Sequence, residues 1–398
     1  MTRSATVPNP ARRAGSGGVV LRAVLDDGPI ARSTVARRTG LSPATVSTAS
    51  TDLVECGLIR ELPEVAGPTG LGRPHVPIDL DTGRFLVAGI HLAYTHTTVA
   101  LLNVRGEVEA RARLAHTGDP AAVLDRAAVQ LLALAADRGG ARLLGVGFAA
   151  GGWVDSASGT IVDHPLPGWA GVRVRDELER RTGLAVRIDS HARALIEAER
   201  LFGERRTRDS VALLFVGNVV DAAFATGDDV HQGPRAAAGA IAHQPVDSDV
   251  VCGCGRVGCF EATLSDRAVL REAMLRGIVD RPVFDDLLRL ALAEHGPARE
   301  LLIHRAFQVG RAVARLADLL DPEVIVVCER GVNQVPGCLD AARAGFAASS
   351  SVPRGTAEIL VASSFPGLSL PVSAGAVILG ELYRYPVATV RELAGASV

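Results

Sequence analysis

The stretch Cys252-Gly-Cys-Gly-Arg-Val-Gly-Cys-Phe-Glu261, with His243 a short way upstream, decides the reading of this chain. Three thiolates and one imidazole complete a tetrahedral shell for zinc, and the glycines between them let the loop turn tightly around one ion. The alternative is a set of ordinary buried thiols, but half of the chain's six cysteines would then fall within eight residues by accident. The expected ligands are His243, Cys252, Cys254 and Cys259, with Zn2+ as cofactor. Four protein ligands leave no open position for water or substrate, so the expected role is structural.

The rest of the composition narrows the class. At 398 residues and 48% hydrophobic, the chain is long enough for two or three domains with real cores. Met1 to Gly18 carries Arg3, Arg12 and Arg13 but no apolar signal-peptide core, and no later stretch is apolar enough to span a bilayer. A cytoplasmic protein without a membrane partner is expected. Cys56, Cys328 and Cys338 are scattered, which argues against a disulfide framework. All 42 basic residues are arginine, so there is no lysine nucleophile and no phosphate-loop lysine. Net charge is -2, but up to Pro74 nine arginines face six acids.

That basic segment has an organisation of its own. A tail over residues 1–14 is expected to be disordered. Helical patterns follow at Val19 to Leu25 and Ala31 to Arg38, then Gly40 turns the chain into Leu41-Ser-Pro43, where Ser42 can cap a third helix and Pro43 suits its first position. In that helix Val46, Ala49, Ser50 and Leu53 share one face, which turns Ala44, Thr45, Ser47, Thr48 and Thr51 outward. Small polar side chains there can approach base edges, and Arg32 on the preceding helix is placed to hold a phosphate. A three-helix protein-binding module would serve equally well, and the following segment decides between them. Leu58 to Leu62 and His75 to Asp79 read as strands joined by Gly67-Pro-Thr-Gly-Leu-Gly-Arg-Pro74, a wing whose Arg73 suits a minor groove.

From Arg84 onward strands and helices alternate: Phe85 to Leu92 and Thr97 to Val104 as paired strands, Pro120 to Ala136 as an amphipathic helix, Leu143 to Phe148 as a strand, and the same grammar again after Val211. Glu261 can begin a helix through Ala262 to Arg271. The Gly-Leu-Ser-x-x-Thr-Val-Ser run at 40–47, Gly57-Leu-Ile-Arg60, Gly72-Arg-Pro74, Gly168-Trp169, the cysteine motif and Asp321-Pro-Glu-Val-Ile-Val-Val327 together resemble the ROK (repressor, open reading frame, kinase) family. The resemblance implies an α/β protein: a winged helix-turn-helix on a two-lobed, actin-like, ribonuclease-H-like sugar-kinase body. The expected boundaries are 15–80 for the head, 84–200 completed by 374–398 for the first lobe, and 201–373 for the second, with the zinc loop at 243–261.

The chain departs from the family's active kinases at every element of the reaction. Their Asn-Asp-Ala-Asn, whose Asp is the base, stands here as Ser190-His-Ala-Arg193. The first phosphate hairpin is His91-Leu-Ala93, the second Gly217-Asn-Val-Val-Asp-Ala-Ala223, and the adenosine-side glycines are Cys328-Glu-Arg330. Side chains at Val219 and Ala223 obstruct the amides that would cradle phosphate, and Asp221 adds repulsion. Pro165 and Ala240 replace two sugar contacts. The implied function is a transcriptional repressor that binds a double-stranded operator as a homodimer or homotetramer, with a catalytically inactive body. The rival is an ATP-dependent sugar kinase with His191 as base. Asp163, Asp189, His191, Arg193 and Asn218 are either the lining of an effector pocket for a sugar or sugar derivative or structural replacements.

Overall fold

Two five-stranded sheets of one topology, with helices packed between them, carry a small three-helix head, and the computed structural model describes this arrangement over residues 15–65, 76–116, 118–165, 167–352 and 355–395. The tail expected at 1–14 and the wing tip with Arg73 lie outside the described residues.

The head consists of α1 (Ser16–Asp27), α2 (Arg32–Thr39) and α3 (Pro43–Glu55), followed by β1 (Ile59–Glu61) and β2 (Ile78–Leu80). Gly40, at φ 72°, ends α2 in the left-handed conformation. Ser42 then caps α3: its Oγ accepts the Thr45 N–H at 3.1 Å, and Pro43 fills the first turn, where no backbone donor is needed. The buried face of α3 is Val46, Ala49, Ser50 and Leu53. The strands β1 and β2 pair antiparallel, Ile59 opposite Leu80, and are shorter than the sequence suggests because Pro63 opens a 3-10 turn and Pro77 has no N–H to donate.

The first lobe runs β3 (Phe85–Leu92), β4 (His96–Asn103), β5 (Val108–Ala115), α4 (Pro120–Ala136), β6 (Arg142–Ala150), a side sheet of β7 (Trp153–Asp155), β8 (Thr160–His164) and β9 (Trp169–Val172), then α5 (Val174–Thr182), β10 (Val186–Ser190) and α6 (His191–Phe202). Its sheet order is β10-β6-β3-β4-β5. The second lobe repeats the plan with β11 (Ser210–Val216), β12 (Val220–Thr226) and β13 (Asp229–Val230), the cysteine loop, α7 (Phe260–Leu264), α8 (Asp266–Leu275), α9 (Phe284–Leu292), α10 (Gly296–Leu320), β14 (Val324–Glu329), α11 (Arg330–Gln334), α12 (Cys338–Ala347), α13 (Thr356–Ile359) and β15 (Leu360–Ala362). Its order, β13-β12-β11-β14-β15, has the same pattern of two antiparallel neighbours and two parallel crossovers. The single helix expected over Ala262 to Arg271 is broken in two, because Ser265 leaves the helical conformation and caps α8 by accepting the Ala268 N–H.

The chain returns through α14 (Ser369–Arg384) and α15 (Pro386–Gly395). Helix α14 lies against β3, β6 and α6, so close that a Cβ at Gly147 would collide with the Ala374 carbonyl. Its far end meets the head. One continuous cluster of buried side chains joins Val20, Leu21 and Leu53 to Val87 and Leu102 of the first sheet, Leu195 of α6, Leu213 of the second sheet and Leu382 of α14. Ion pairs ring this joint: Asp26 with Arg208 (2.7 Å), Asp27 with Arg205 (2.7 Å), and Arg105 with Asp79. Arg22 donates to the Leu201 carbonyl at 2.7 Å, and burial lowers its guanidinium to about 10.

Gly18 sits where a Cβ would come within 2.7 Å of the Tyr383 carbonyl and 2.8 Å of that of Arg384. Gly18→Val must push α1 off α14, and we expect a loss of about 1–3 kcal/mol in thermal unfolding, accompanied by earlier proteolytic release of the head. Unchanged melting and proteolysis would show the joint to be slack.

Candidate functional site

Three sites emerge. In the head, Ser42, Ala44, Ser47 and Thr48 are exposed and Thr45 is half-buried, its hydroxyl 2.8 Å from that of Ser42. The residues expected to read bases do not all share one surrounding: Ala44, Thr45 and Thr48 border a crevice of about 600 Å³ with Gly17 and Pro386, whose lining does not include Ser42 or Ser47. Arg32, expected to hold a phosphate, pairs instead with Glu61 at 2.6 Å, because β1 ends beside the start of α2. A half-exposed pair of this kind contributes under about 1 kcal/mol, so a phosphate can displace the carboxylate. Arg37 and Arg60 are exposed, with no ion pair among the described residues. The sequence reading passed over them because arginine alone does not distinguish a paired surface from a free one.

In the second lobe His243, Cys252, Cys254 and Cys259 converge, their ligand atoms all within 4.8 Å of one another. Cys252 Sγ lies 3.7 Å from His243 Nδ1, and Cys254 and Cys259 sulfurs are 3.6 Å apart. Tetrahedral zinc with bonds of about 2.3 Å to sulfur needs spacings of this size, so the donor set fits the ion. The loop is shaped by backbone: Cys252 N–H donates to Arg256 O, Gly258 N–H to Val250 O, and Phe260 N–H to Gln244 O. Gly255 and Gly258 take the positive φ that the turns require. Arg311 reaches Asp247 from α10 at 3.2 Å, which ties the loop to the longest helix of the lobe. Glu261 pairs with Arg267 and is not one of the converging ligands.

Between the lobes lies a cavity of about 1330 Å³. Of the five residues taken together as a candidate effector pocket, only His191 and Asn218 line it. Asp189 and Arg193 are absorbed by each other: Arg193 is buried, its Nε donates to Asp189 Oδ1 at 2.6 Å, and its remaining nitrogens hold the Ala236 and Val154 carbonyls at 3.0 and 2.9 Å. Burial pushes the Asp189 carboxyl up, and Arg193 opposes the rise. Asp163 is exposed on β8, outside the cavity. The spacing of these residues did not disclose that an arginine at the third position of α6 would turn inward to knit three segments.

His191, at the start of α6, is buried against Phe215 (ring centroids 4.2 Å) with Nε2 2.9 Å from Asp221 Oδ2. Asp221 thus serves as a partner for His191 across the lobes. Val219 lies against Gly151 of the first lobe, and both line the cavity. On the far wall Glu329 is 1% exposed and accepts the Gly331 and Val332 N–H groups at 2.9 and 2.7 Å, capping α11, while Arg305 bridges it to Asp266 at 2.8 and 2.7 Å. His91 is buried at the cavity's inner end with neither ring nitrogen bonded, and His164 has its Nδ1 unpartnered.

Comparison with known proteins accords with this geometry. A family model described as ROK family matches residues 87–364, and one described as winged helix-turn-helix DNA-binding matches residues 19–60. The chain is 34% identical over 393 residues to the transcriptional regulator Rv0485 of Mycobacterium tuberculosis, covering 94% of this chain and 86% of that relative. It is 26% identical over 329 residues to the DNA-binding transcriptional repressor Mlc of Escherichia coli, covering 78% and 80% of the two chains. In fold it is similar to a crystallised ROK family transcriptional regulator homologous to the E. coli protein (TM-score 0.76, 22% identity, 94% and 98% covered) and to a ROK family glucokinase of Streptomyces griseus crystallised with glucose and AMPPNP (0.64, 23%, 73% and 98%).

The buried imidazoles make stability depend on pH. Burial, with a smaller contribution from His191, holds His91 well below its ordinary value and His164 at about 4. Between about pH 6.5 and 4 the unfolded chain binds protons at these positions that the folded chain refuses, so stability falls as pH drops through that window, by up to about 1.4 kcal/mol per pH unit and group. We expect the urea midpoint to fall from about pH 7 to pH 5, and His164→Phe to show a shallower dependence; an equal slope in the variant would place the sensitivity elsewhere.

Proposed function

Since the chain belongs to the ROK family, we propose that it is a DNA-binding transcriptional repressor whose kinase-like body has given up phosphoryl transfer, holds a structural zinc ion and senses a small molecule. The observation that carries this is the capped helix-turn-helix joined through one core to a body in which His191 and Asp221 bond each other beside the interlobe cavity. In the place of a carboxylate base and bare glycines stand a hydrogen-bonded His191–Asp221 pair and a turn that carries the Val219 side chain against Gly151.

Recognition begins with charge. Arg37 and Arg60, with Arg32 once it leaves Glu61, neutralise backbone phosphates, while Ala44, Thr45, Ser47 and Thr48 on the capped start of α3 meet base edges in the major groove and Arg73 reaches the minor groove. Two heads on a symmetric dimer match a palindromic site. Zinc bound by His243, Cys252, Cys254 and Cys259 supplies cross-linking of the loop and no reactivity, since the shell is complete. The ligand loop runs directly into α7, so the ion fixes the register between the loop and the lobe.

Gel shifts of the purified protein on the DNA upstream of its own coding sequence test the head. Arg37→Ala with Arg60→Ala is expected to weaken binding about tenfold on all sequences and to reduce the salt slope by about 2, whereas changes at Ser47 or Thr48 alter which sequence is preferred. Binding that ignores both sets would overturn the assignment. A coupled phosphorylation assay over hexoses addresses the kinase; turnover abolished by His191→Ala would establish that rival instead.

Metal analysis is expected to find one zinc per chain, and Cys254→Ser to lose it together with thermal stability and operator affinity. A zinc-free variant with unchanged melting would remove the structural role.

A further inference from the structure

The interlobe cavity combines arginines from both lobes with exposed apolar side chains. At its mouth Arg330 of α11 is bonded to Asp285, Arg113 of β5 lines the same cavity from the other lobe, and the Asp285 carboxyl is held below its usual range by Arg330 first and by the charge of Arg113 as well. Arg113 spends one donor on His96 Nδ1, 3.2 Å away. Two guanidiniums thus share one negative charge, and a second carboxylate would complete the set.

Along the rim α8 presents uncovered apolar side chains beside Arg267 and Arg271. Leu275 is 82% and Met274 42% exposed on α8, facing Tyr94, which is 39% exposed on the other lobe. At the inner end His91, 2% exposed, has both ring nitrogens without a partner. A buried imidazole left so is costly, and a group that both donates and accepts, such as a hydroxyl, would satisfy it.

We propose that this cavity is the effector site and that its ligand is an amphiphilic organic acid, with its carboxylate between Arg113 and Arg330, its hydrocarbon body on the α8 wall, and a hydroxyl or like group at His91. The assignment rests on the reading of the body as a sensor. It also supplies a route to the DNA: Ser369, Leu370 and Pro371 at the start of α14 line the cavity, and Tyr383 and Arg384 at its end touch Gly18 of the head. An acid that draws the two arginines together moves the second lobe against α14 and so biases the head.

Displacement of anilinonaphthalene sulfonate from the zinc-loaded full chain tests this. ω-Hydroxydecanoate should displace the dye about tenfold more tightly than decanoate, which lacks the hydroxyl, or decanediol, which lacks the carboxylate. His91→Phe should abolish the advantage over decanoate, and Arg113→Ala the advantage over decanediol. Leu275→Glu, at an exposed position that folding does not need, should weaken both acids about tenfold and keeps the answer readable if His91→Phe does not fold. Displacement by AMPPNP or glucose but not by the acids, or acid binding unchanged in these variants, would overturn the proposal. Operator gel shifts without ligand run alongside: intact DNA binding with no acid binding removes the ligand class alone, whereas loss of DNA binding removes the regulator.

Discussion

Everything in this molecule hangs on the seating of α14. Its first turn forms part of the interlobe cavity, its middle is pressed onto β3 and β6 at Gly147, and its last turn supports α1 of the head. At 16 residues it spans roughly 24 Å without a break. The apolar cluster around it is continuous from head to second sheet, so the head has no separate core on which to float. A displacement at one end of such a helix cannot be absorbed locally, because close-packed surfaces shift between discrete arrangements rather than deform smoothly.

Polar side chains on the two sides of the interlobe cavity are satisfied by one another. His191 and Asp221 each would be a liability alone, a buried imidazole and a carboxylate in a cleft; together they satisfy one another across the lobes. The Asp266–Arg305–Glu329 triad does the same on the other wall, and Glu329 gains two backbone donors by capping α11. Buried ions in such sets seldom stabilise much over an apolar replacement, yet each partner becomes costly to remove singly. The partners in each set are therefore coupled, and one cannot be replaced cheaply without the other.

Much of this was legible in the sequence. The cap at Ser42, the buried face of α3, the helix at Pro120–Ala136 and the clustering of His243 with three cysteines follow from local rules of spacing and backbone chemistry, and the structure has them where those rules put them. What the sequence hid depends on partners distant along the chain. Arg32 meets Glu61 29 residues away, Arg193 reaches the Ala236 and Val154 carbonyls, and Asp221 finds His191. No local pattern announces that a polar side chain will be spent inward, so a candidate pocket drawn from sequence mixed residues that line the cavity with residues that brace its wall. The break at Ser265 is the opposite case, a local signal outweighed in reading by the amphipathic run around it.

The shared core of head and body also bears on how proteins of this build diversify. A head cut after β2 would carry away Val20, Leu21 and Val24 but leave behind Leu379, Leu382 and Tyr383, which cover them. Exchange of DNA-binding specificity between relatives by recombination at that junction would join surfaces that were never fitted to one another. The transplantable unit is discontinuous, the head together with the final two helices, since α3 also borders α15 across the crevice at Pro386.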